Sequence, residues 1–317
     1  MDRTRKHIPV LYDEVLAGLK VRPGGWYIDA TLGAGGHAAG ILQGSTPNGR
    51  LLGLDADEES IEFARQILRP FGDRVIFRVT NFRHLQATAT VLGFEQVDGV
   101  LIDLGLSTRQ LEDAERGFSF SQDGPLDMRM DARQKTTAAD LVNHLPEAEL
   151  ADVLWRYGEE RFARQIAKAI VAARPMTTTG HLSEVVARTV GRKEGKRSQV
   201  RPRIHPATRT FQALRIAVND ELESLRQVLP QARDLLRPGG RLAVISFHSL
   251  EDRLVKNFVQ QETRDCICPP EIPVCVCEHI ATLRAIARKP IRPTDREVAQ
   301  NPRSRSARLR IAERLTS

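Results

Sequence analysis

The chain has 317 residues, of which 41% are hydrophobic and 5% aromatic, and its formal net charge is +7. This composition predicts a globular protein with a mainly aliphatic core, and the basic excess favours a polyanionic partner. The N-terminus lacks the apolar segment of a secretory signal, and no run of about 18 apolar residues could cross a membrane. We therefore expect a cytoplasmic protein without membrane association, with two domains or one domain carrying a large insertion.

Strands and helices alternate in the first third of the chain. Short apolar runs that end in turn residues predict the strands, and amphipathic stretches between them predict helices. The fourth run, VDGVLIDL, is apolar on both faces, as in a central parallel strand. The alternation predicts an α/β sheet with right-handed crossovers. The predicted strands are 26–33, 50–55, 73–79 and 97–104.

The alternation stops after the fourth strand. Residues 109–131 have no clear period and are predicted to form a structured loop. Helical patterns follow over 137–144, 146–173 and 183–190, the last with Ser183 as its N-cap, and no strand pattern interrupts them. We interpret this stretch as an all-α insertion of about 100 residues, the size of a small domain.

The sheet is predicted to resume after the insertion. Residues 191–203 are basic and polar and are interpreted as a mobile linker. A long amphipathic helix is predicted over 206–236, and LRPGGRLAVISF (236–247) predicts a turn into another buried strand. The predicted domains are the first part of the sheet domain (1–108), a helical domain that recognises the substrate (109–204), and the second part with its basic C-terminal segment (205–317).

A glycine-rich turn, GAGGH (33–37), follows the first strand and opens a helix. Glycines allow a ligand to approach the backbone closely, and the helix N-terminus offers N–H groups. Asp55 ends the second strand, where its carboxylate can accept hydrogen bonds from both ribose hydroxyls of a nucleoside. The spacing also satisfies the dinucleotide fingerprint, so NAD competes with S-adenosylmethionine as the ligand.

Three features favour S-adenosylmethionine. Asp29 precedes the glycines, whereas a dinucleotide site has its first glycine directly after the strand. Asp103 ends the fourth strand, where a methyltransferase needs groups that face the donor methyl. The turn and strand at 236–247 resemble those of class I methyltransferases. Phe82 follows the third strand and is a candidate adenine contact, with packing in the core as the alternative.

Segments from one end of the chain to the other resemble one family, most specifically ERGFSFSQDGPLDMRMD (115–131) and SFHSLED (246–252). They are similar to the bacterial 16S rRNA cytosine-N4 methyltransferases (the RsmH or MraW family). The resemblance implies a class I S-adenosylmethionine-dependent methyltransferase with an inserted all-α domain. It also implies that the chain methylates N4 of a cytidine in the decoding region of 16S rRNA, within the small ribosomal subunit. The family's cofactor contacts carry over onto Gly35, Gly36, His37, Asp55, Phe82, Asp103 and Gln110.

The predicted acceptor sets a chemical requirement. The lone pair of cytosine N4 is delocalised into the ring, which makes the amine a poor nucleophile. The protein must therefore align N4 with the methyl group, and one of its side chains must accept a hydrogen bond from the N4 amine. Asp103 and His248 are the candidate acceptors, although Asp103 could instead contact the cofactor amine and His248 could be a hydrogen-bonded structural histidine. The Pro-Pro-aromatic motif of amino-methylating DNA enzymes is absent after the fourth strand, which argues against DNA as the substrate.

Two basic tracts favour RNA binding. Residues 191–215 hold eight Lys or Arg against one acid, and residues 284–314 hold ten against three. Such tracts suit phosphate contacts, although each alone is more often a solvated face.

The four cysteines lie close together, and their thiolates could enclose one tetrahedral Zn²⁺. The C-x-C spacing is tighter than in most zinc sites, so a reduced, thiol-rich loop is the alternative. These residues are Cys266, Cys268, Cys275 and Cys277.

Two other functions stay open at this point: an NAD-dependent Rossmann oxidoreductase, and a non-catalytic RNA-binding factor of ribosome assembly. The intact glycine turn, Asp55 and Asp103 argue against the second. The sequence also leaves the oligomeric state open, a homodimer included.

Overall fold

The computed structural model describes residues 9–194, 205–269, 271–272 and 274–316. Most of the predicted linker, 191–203, lies outside these residues. The described chain forms two compact units, one made of the residues up to Gly105 and from Leu222 onward, the other running from Leu106 to Glu221. None of the helices in the described ranges is long and apolar enough to cross a membrane.

Strands and helices are numbered separately in chain order. The strands are β1 (Trp26–Asp29), β2 (Arg50–Asp55), β3 (Val75–Val79), β4 (Val97–Asp103), β5 (Leu236–Ser246), β6 (Leu283–Ala285) and β7 (Arg308–Arg314). The helices are α1 (Tyr12–Gly18), α2 (Gly36–Gly44), α3 (Glu58–Leu68), α4 (Leu85–Val91), α5 (Thr108–Glu112), α6 (Ala138–His144), α7 (Glu147–Gly158), α8 (Ala163–Ala172), α9 (Thr179–Glu194), α10 (Thr208–Asn219), α11 (Glu221–Leu235), α12 (Ser249–Glu262) and α13 (Asp295–Gln300).

The first unit is built on one seven-stranded sheet in the order β3-β2-β1-β4-β5-β7-β6. Strands β1 to β5 pair in parallel, and β7 is antiparallel to both of its neighbours. This arrangement is that of class I methyltransferases, so the predicted fold class is confirmed. A dinucleotide-binding fold would instead have the order 3-2-1-4-5-6.

Both faces of this sheet are covered by apolar packing. Consecutive residues of β2 serve opposite faces, with Leu51 in one buried cluster and Leu52 in the other. The first cluster includes Ile41 of α2, and the second includes Val228 of α11. Strands buried on both faces explain the nearly continuous apolar runs of the sequence. The carboxyl ends of β1, β2 and β4 then lie side by side at one edge of the sheet.

The second unit is helical and has its own apolar core. Among its described residues no extended strand occurs, only an isolated bridge between Pro125 and Thr178. The helix predicted over 146–173 is interrupted at Glu159, which adopts a left-handed backbone conformation (φ 48°) and ends α7. Helix α9 begins at Thr179, whereas the sequence predicted Ser183 as its N-cap.

The unit boundaries differ from the predicted domain boundaries. The sequence placed them after residues 108 and 204, whereas the structure changes unit after Gly105 and Glu221. Phe211 and Leu214 of α10 are buried in the helical core, so α10 belongs to the second unit. Asp220, with φ 50°, separates α10 from α11 where one continuous helix was predicted. An amphipathic pattern shows that a helix has an apolar face but does not say which core buries it.

Candidate functional site

The glycine-rich turn connects β1 to α2. Gly33 and Gly35 have left-handed backbone conformations (φ 50° and 79°), which glycine adopts without steric cost. Gly35 is the N-cap of α2 and contributes no side-chain hydrogen bond there. A Cβ atom on Gly36 would lie 2.5 Å from Cγ of Pro9. The turn therefore presents main-chain N–H groups at a helix N-terminus with little room for added side chains.

Asp55, at the end of β2, joins the glycine turn to the start of α3. One carboxylate oxygen accepts the N–H of Gly33 at 2.8 Å, and the other accepts the N–H of Asp57 at 2.9 Å. Burial raises the pKa of Asp55 to about 6, partly offset by these N–H donors. A carboxylate offers about four acceptor positions, so these contacts leave acceptor capacity for a ligand.

Asp29 ends β1, which lies next to β2, and Asp103 ends β4, which lies on the other side of β1. Asp29 is 1% exposed, and burial together with the nearby Asp55 raises its pKa to about 7. The pKa of Asp103 is raised well above its usual value by burial and then by Asp29 and Glu251. Three desolvated carboxyl groups that repel one another favour a positively charged ligand. They disfavour the pyrophosphate of a dinucleotide.

The main chain of Asp103 is anchored by a hydrogen bond, whereas one oxygen of its carboxyl group makes none. Its N–H donates to Oγ1 of Thr31 at 2.6 Å. Its Oδ2 lies 3.6 Å from Nδ1 of His37. Its Oδ1 is buried and has no hydrogen-bond partner within the described residues. A buried oxygen of this kind is available to a ligand donor.

The His37 ring is fixed between the N-terminal segment and Asp103. Its Nε2 lies 2.9 Å from the carbonyl oxygen of Val10 and must donate to it. This bond orients Nδ1 toward the Asp103 carboxyl group. The ring also stacks on Tyr12, with centroids 6.2 Å apart. His37 therefore places Nδ1 beside the Asp103 carboxyl group, and its contact with the cofactor stays a prediction.

Phe82 lies in the short 3₁₀ helix Phe82–His84 after β3. Asn81 caps this helix by accepting the N–H of Arg83 at 2.9 Å. Phe82 is partly buried and packs against the apolar cluster on one face of the sheet. Its role as an adenine contact stays a prediction.

Gln110 belongs to the helical unit. Its Oε1 accepts the N–H of Ser107 at 3.0 Å, and its own N–H donates to Oγ of Ser107 at 3.2 Å, which forms a capping box at the start of α5. The predicted contact between Gln110 and the cofactor therefore stays a prediction.

His248 caps α12. Its Nδ1 accepts the N–H of Glu251 at 3.4 Å, and its Nε2 lies 3.0 Å from Oε1 of the same residue. Glu251 in turn accepts the N–H of Phe247 at 2.8 Å. These contacts describe the structural role that the sequence left as the alternative, and a catalytic role for His248 stays a prediction.

Two residues that shape the site were not singled out from the sequence. Thr31 anchors the backbone at Asp103, and Glu251 adds negative charge beside it. Glu251 lies in the distinctive segment SFHSLED, which was a usable signal. Thr31 carries no such signal, because a threonine in a turn is common.

Some arginines in the described parts of the basic tracts form ion pairs within the protein. Arg215 pairs with Glu221 at 2.8 Å, and Arg308 and Arg310 both pair with Asp252, at 2.9 and 2.7 Å. Other basic residues of the second tract are exposed. They are Arg288, Lys289, Arg292, Arg296, Arg303 and Arg305.

The four cysteines come together after α12. Their sulfur atoms all lie within 4.8 Å of one another. The sequence prediction that they form one cluster therefore agrees with the geometry.

Comparison with known proteins places this chain close to a large set of relatives. Residues 4–315 match the profile of the MraW methylase family. A protein from Dehalococcoides mccartyi named "Ribosomal RNA small subunit methyltransferase H" is 52% identical over 309 residues, which covers 98% of this chain and 86% of that protein. A protein of the same name from Symbiobacterium thermophilum is 52% identical over 315 residues, covering 98% of this chain and 96% of the relative.

Proposed function

The chain belongs to the MraW methylase family, and from that premise we propose that it transfers a methyl group from S-adenosylmethionine to N4 of a cytidine in the decoding region of 16S rRNA. The observation that carries the proposal is the row of desolvated carboxyl groups, Asp55, Asp29 and Asp103, beside a glycine-rich turn. Burial opposes the ionisation of these groups, and a sulfonium donor beside them would favour their charged form. The relatives named for small-subunit rRNA methylation support the RNA substrate.

The donor would be held by the glycine turn and the strand ends. Asp55 would accept the ribose hydroxyls with the acceptor capacity that its main-chain contacts leave. Gly35 and Gly36 would present main-chain N–H groups to the donor at the N-terminus of α2. When bound, the donor supplies an activated methyl group on a positively charged sulfur. The other predicted contacts are His37, Phe82, Asp103 and Gln110.

N4 needs a group that accepts one of its protons as the new N–C bond forms. Asp103 and His248 are the two candidates, because Oδ1 of Asp103 and Nε2 of His248 are both buried without a hydrogen-bond partner among the described residues, while Nδ1 of His248 caps α12. Next to a cationic donor Asp103 would ionise, because an opposite charge lowers a raised carboxyl pKa. The alternative role of the same carboxylate is to orient the amine of the donor.

The macromolecular partner would be 16S rRNA, within the small ribosomal subunit and hence in the cytoplasm. Exposed basic residues after β6, such as Arg288, Lys289 and Arg292, would contact phosphates. The target base would be turned out of its stack, because N4 is otherwise engaged, at a cost of a few kcal/mol.

The test is to measure modified nucleosides in 16S rRNA from cells that lack the gene. We expect N4-methylated cytidine to be lost, to return with the wild-type gene and with Glu58→Ala, and to stay absent with Asp55→Ala. In parallel, purified enzyme with labelled S-adenosylmethionine should label small subunits or 16S rRNA rather than DNA. Persistence of the modified nucleoside at the wild-type level, or labelling of DNA alone, would contradict the proposal.

A further inference from the structure

All four cysteines of the chain lie in the segment that connects α12 to β6. Two contacts close the base of this segment. The N–H of Thr282 donates to the carbonyl oxygen of Glu262 at 2.8 Å, and Nδ1 of His279 lies 2.9 Å from the carbonyl oxygen of Arg264. Apart from Pro270 and Pro273, which are not described, the residues between Glu262 and Leu283 contain no helix or strand. Regular secondary structure therefore does not hold the tip of this segment.

The spacing of the sulfur atoms fits a single metal ion. With Zn–S bonds of about 2.3 Å, the sulfurs of a regular tetrahedral site lie about 3.8 Å apart. Here Sγ of Cys277 lies 3.6 Å from that of Cys275 and 3.9 Å from that of Cys266. All four cysteines are unpaired thiols, and these separations are far longer than a disulfide bond of about 2.05 Å. The four sulfur atoms therefore lie close enough together to share one metal ion.

Main-chain N–H groups point at the same sulfur atoms. The N–H of Ile267 lies 3.4 Å from Sγ of Cys277, and the N–H of Val276 lies 3.4 Å from Sγ of Cys268. The N–H of Cys268 makes a similar contact with Sγ of Cys266, also at 3.4 Å. Donors in this position stabilise thiolates and orient them toward a metal.

The segment has almost no apolar core of its own. Val274, Val276 and Ile280 are 70%, 69% and 73% exposed. Hydrophobic burial therefore contributes little to its conformation. Short segments without a core commonly depend on a structural metal for their fold.

We propose that Cys266, Cys268, Cys275 and Cys277 bind one structural Zn²⁺ through four thiolates. Each thiol loses its proton to solvent as its Zn–S bond forms, and no electron is transferred. A four-sulfur site of this kind is closed, so the ion organises the segment and takes no part in methyl transfer. The segment joins the sheet at β6, which is separated from β4 and its Asp103 by β5 and β7. The proposal therefore stands apart from the proposed function.

Elemental analysis of the purified full-length protein tests this proposal directly. We expect about one equivalent of zinc per chain, and below about 0.1 equivalent in Cys268→Ser and Cys277→Ser. Val274→Ser is the matched control, because it places a serine in the same exposed segment without removing a ligand. It should retain the zinc. Protein stripped with a chelator should regain one equivalent of added Zn²⁺, and added Co²⁺ should give the absorption of a tetrahedral thiolate complex.

Several results would overturn the proposal. They are metal-free protein that has four titratable thiols and binds neither Zn²⁺ nor Co²⁺, full zinc content in both cysteine variants, and one equivalent of iron in place of zinc. Affinity for S-adenosylmethionine is measured on the same samples. We expect it to be unchanged in Cys268→Ser, so loss of zinc and loss of donor binding are separate readouts.

Discussion

Asp55 provides the most direct residue-scale test of the donor site. Replacing it with alanine removes the acceptors for two ribose hydroxyls, each a hydrogen bond to a charged group contributing about 1.5–3 kcal/mol. We expect Asp55→Ala to lower the affinity for S-adenosylmethionine at least tenfold in calorimetry, since about 1.4 kcal/mol corresponds to a factor of ten. Glu58→Ala, which removes an exposed carboxylate in the first turn of α3, is the control and should bind normally. Equal affinity in both variants would remove Asp55 from the site.

Asp29 should make the stability of the free protein depend on pH. Its pKa is about 7 in the folded chain against 3.8 as the ordinary value, so the folded state binds the proton more tightly. The contribution of Asp29 to the free energy of unfolding should therefore fall as pH rises from about 4 to about 7. The raised pKa of Asp29 corresponds to a loss of at most about 4 kcal/mol over this range.

Asp29→Asn should flatten this dependence and leave the protein more stable than wild type at pH 8. The amide stays neutral and still accepts the N–H of Thr31 that now reaches Asp29 at 3.2 Å. Urea unfolding at several pH values measures the effect, with Asp13→Asn, an exposed carboxylate of α1, as the control. A wild-type slope in Asp29→Asn would show that the buried carboxyl group is not the source.

The residues of the site were predictable to different degrees. Asp55 and Asp103 each follow an apolar run, so the sequence alone indicated that they stand at strand ends. The contact between Thr31 and the backbone of Asp103 spans 72 residues of sequence, and Glu251 reaches the site from α12. Such contacts depend on how the sheet packs. The local hydrophobic pattern of the sequence cannot predict them.

At the scale of elements, the glycine turn gives a prediction with an internal control. Gly35 and Gly93 both have left-handed backbones, with φ of 79° and 72°. Alanine at either position should cost about 1–2 kcal/mol of backbone strain. At Gly35 a Cβ would also lie 3.2 Å from Leu68, whereas at Gly93 it would meet nothing within 4 Å.

We therefore expect both alanine variants to lower the free energy of unfolding, and only Gly35→Ala to weaken donor binding as well. Thermal unfolding and calorimetry together separate the two effects. Normal donor affinity in Gly35→Ala would show that the close backbone approach is not needed for the ligand.

The parallel strands were predictable because burial on both faces makes each of them an uninterrupted apolar run. The antiparallel strand β7 was not predicted, because its arginines were interpreted as part of a basic tract. Leu309 and Ile311 are buried, while Arg308 and Arg310 pair with Asp252 of α12. The ion pairs with Asp252 neutralise these arginines, so charged residues can alternate with buried ones along a strand of the sheet. The left-handed residues Glu159 and Asp220 likewise divide helices that the periodicity predicted as continuous.

At the scale of the whole molecule, some basic residues are paired within the fold and others are exposed to solvent. The second basic tract contains residues in largely buried ion pairs, such as Arg310 with Asp252 at 2.7 Å, and residues exposed to solvent. The net charge read from the sequence includes both the paired and the exposed residues. The structure therefore narrows the candidate RNA contacts to the exposed ones.

The segment after β6 allows a test of RNA binding that leaves the fold intact. Arg288, Lys289 and Arg292 are exposed, and the adjacent Ile291 pairs with Leu309 of β7. Changing all three to glutamine should lower the affinity for a 16S rRNA fragment. It should also reduce the slope of log affinity against log salt by about one for each phosphate group that the variant no longer binds. The affinity for S-adenosylmethionine should not change, because these residues lie outside the strand ends that form the donor site.

The matched control removes the same charge at the opposite edge of the sheet. Arg65, Arg69 and Arg78 are exposed on and around α3 and β3, the strand at the far end of the sheet from β6. Changing them to glutamine alters the net charge equally, so a general loss of electrostatic attraction would affect both triple variants alike. Fluorescence anisotropy over a series of salt concentrations compares them. A smaller salt slope in the 288–292 variant alone would assign that segment to the RNA, whereas identical slopes in the two variants would contradict the assignment.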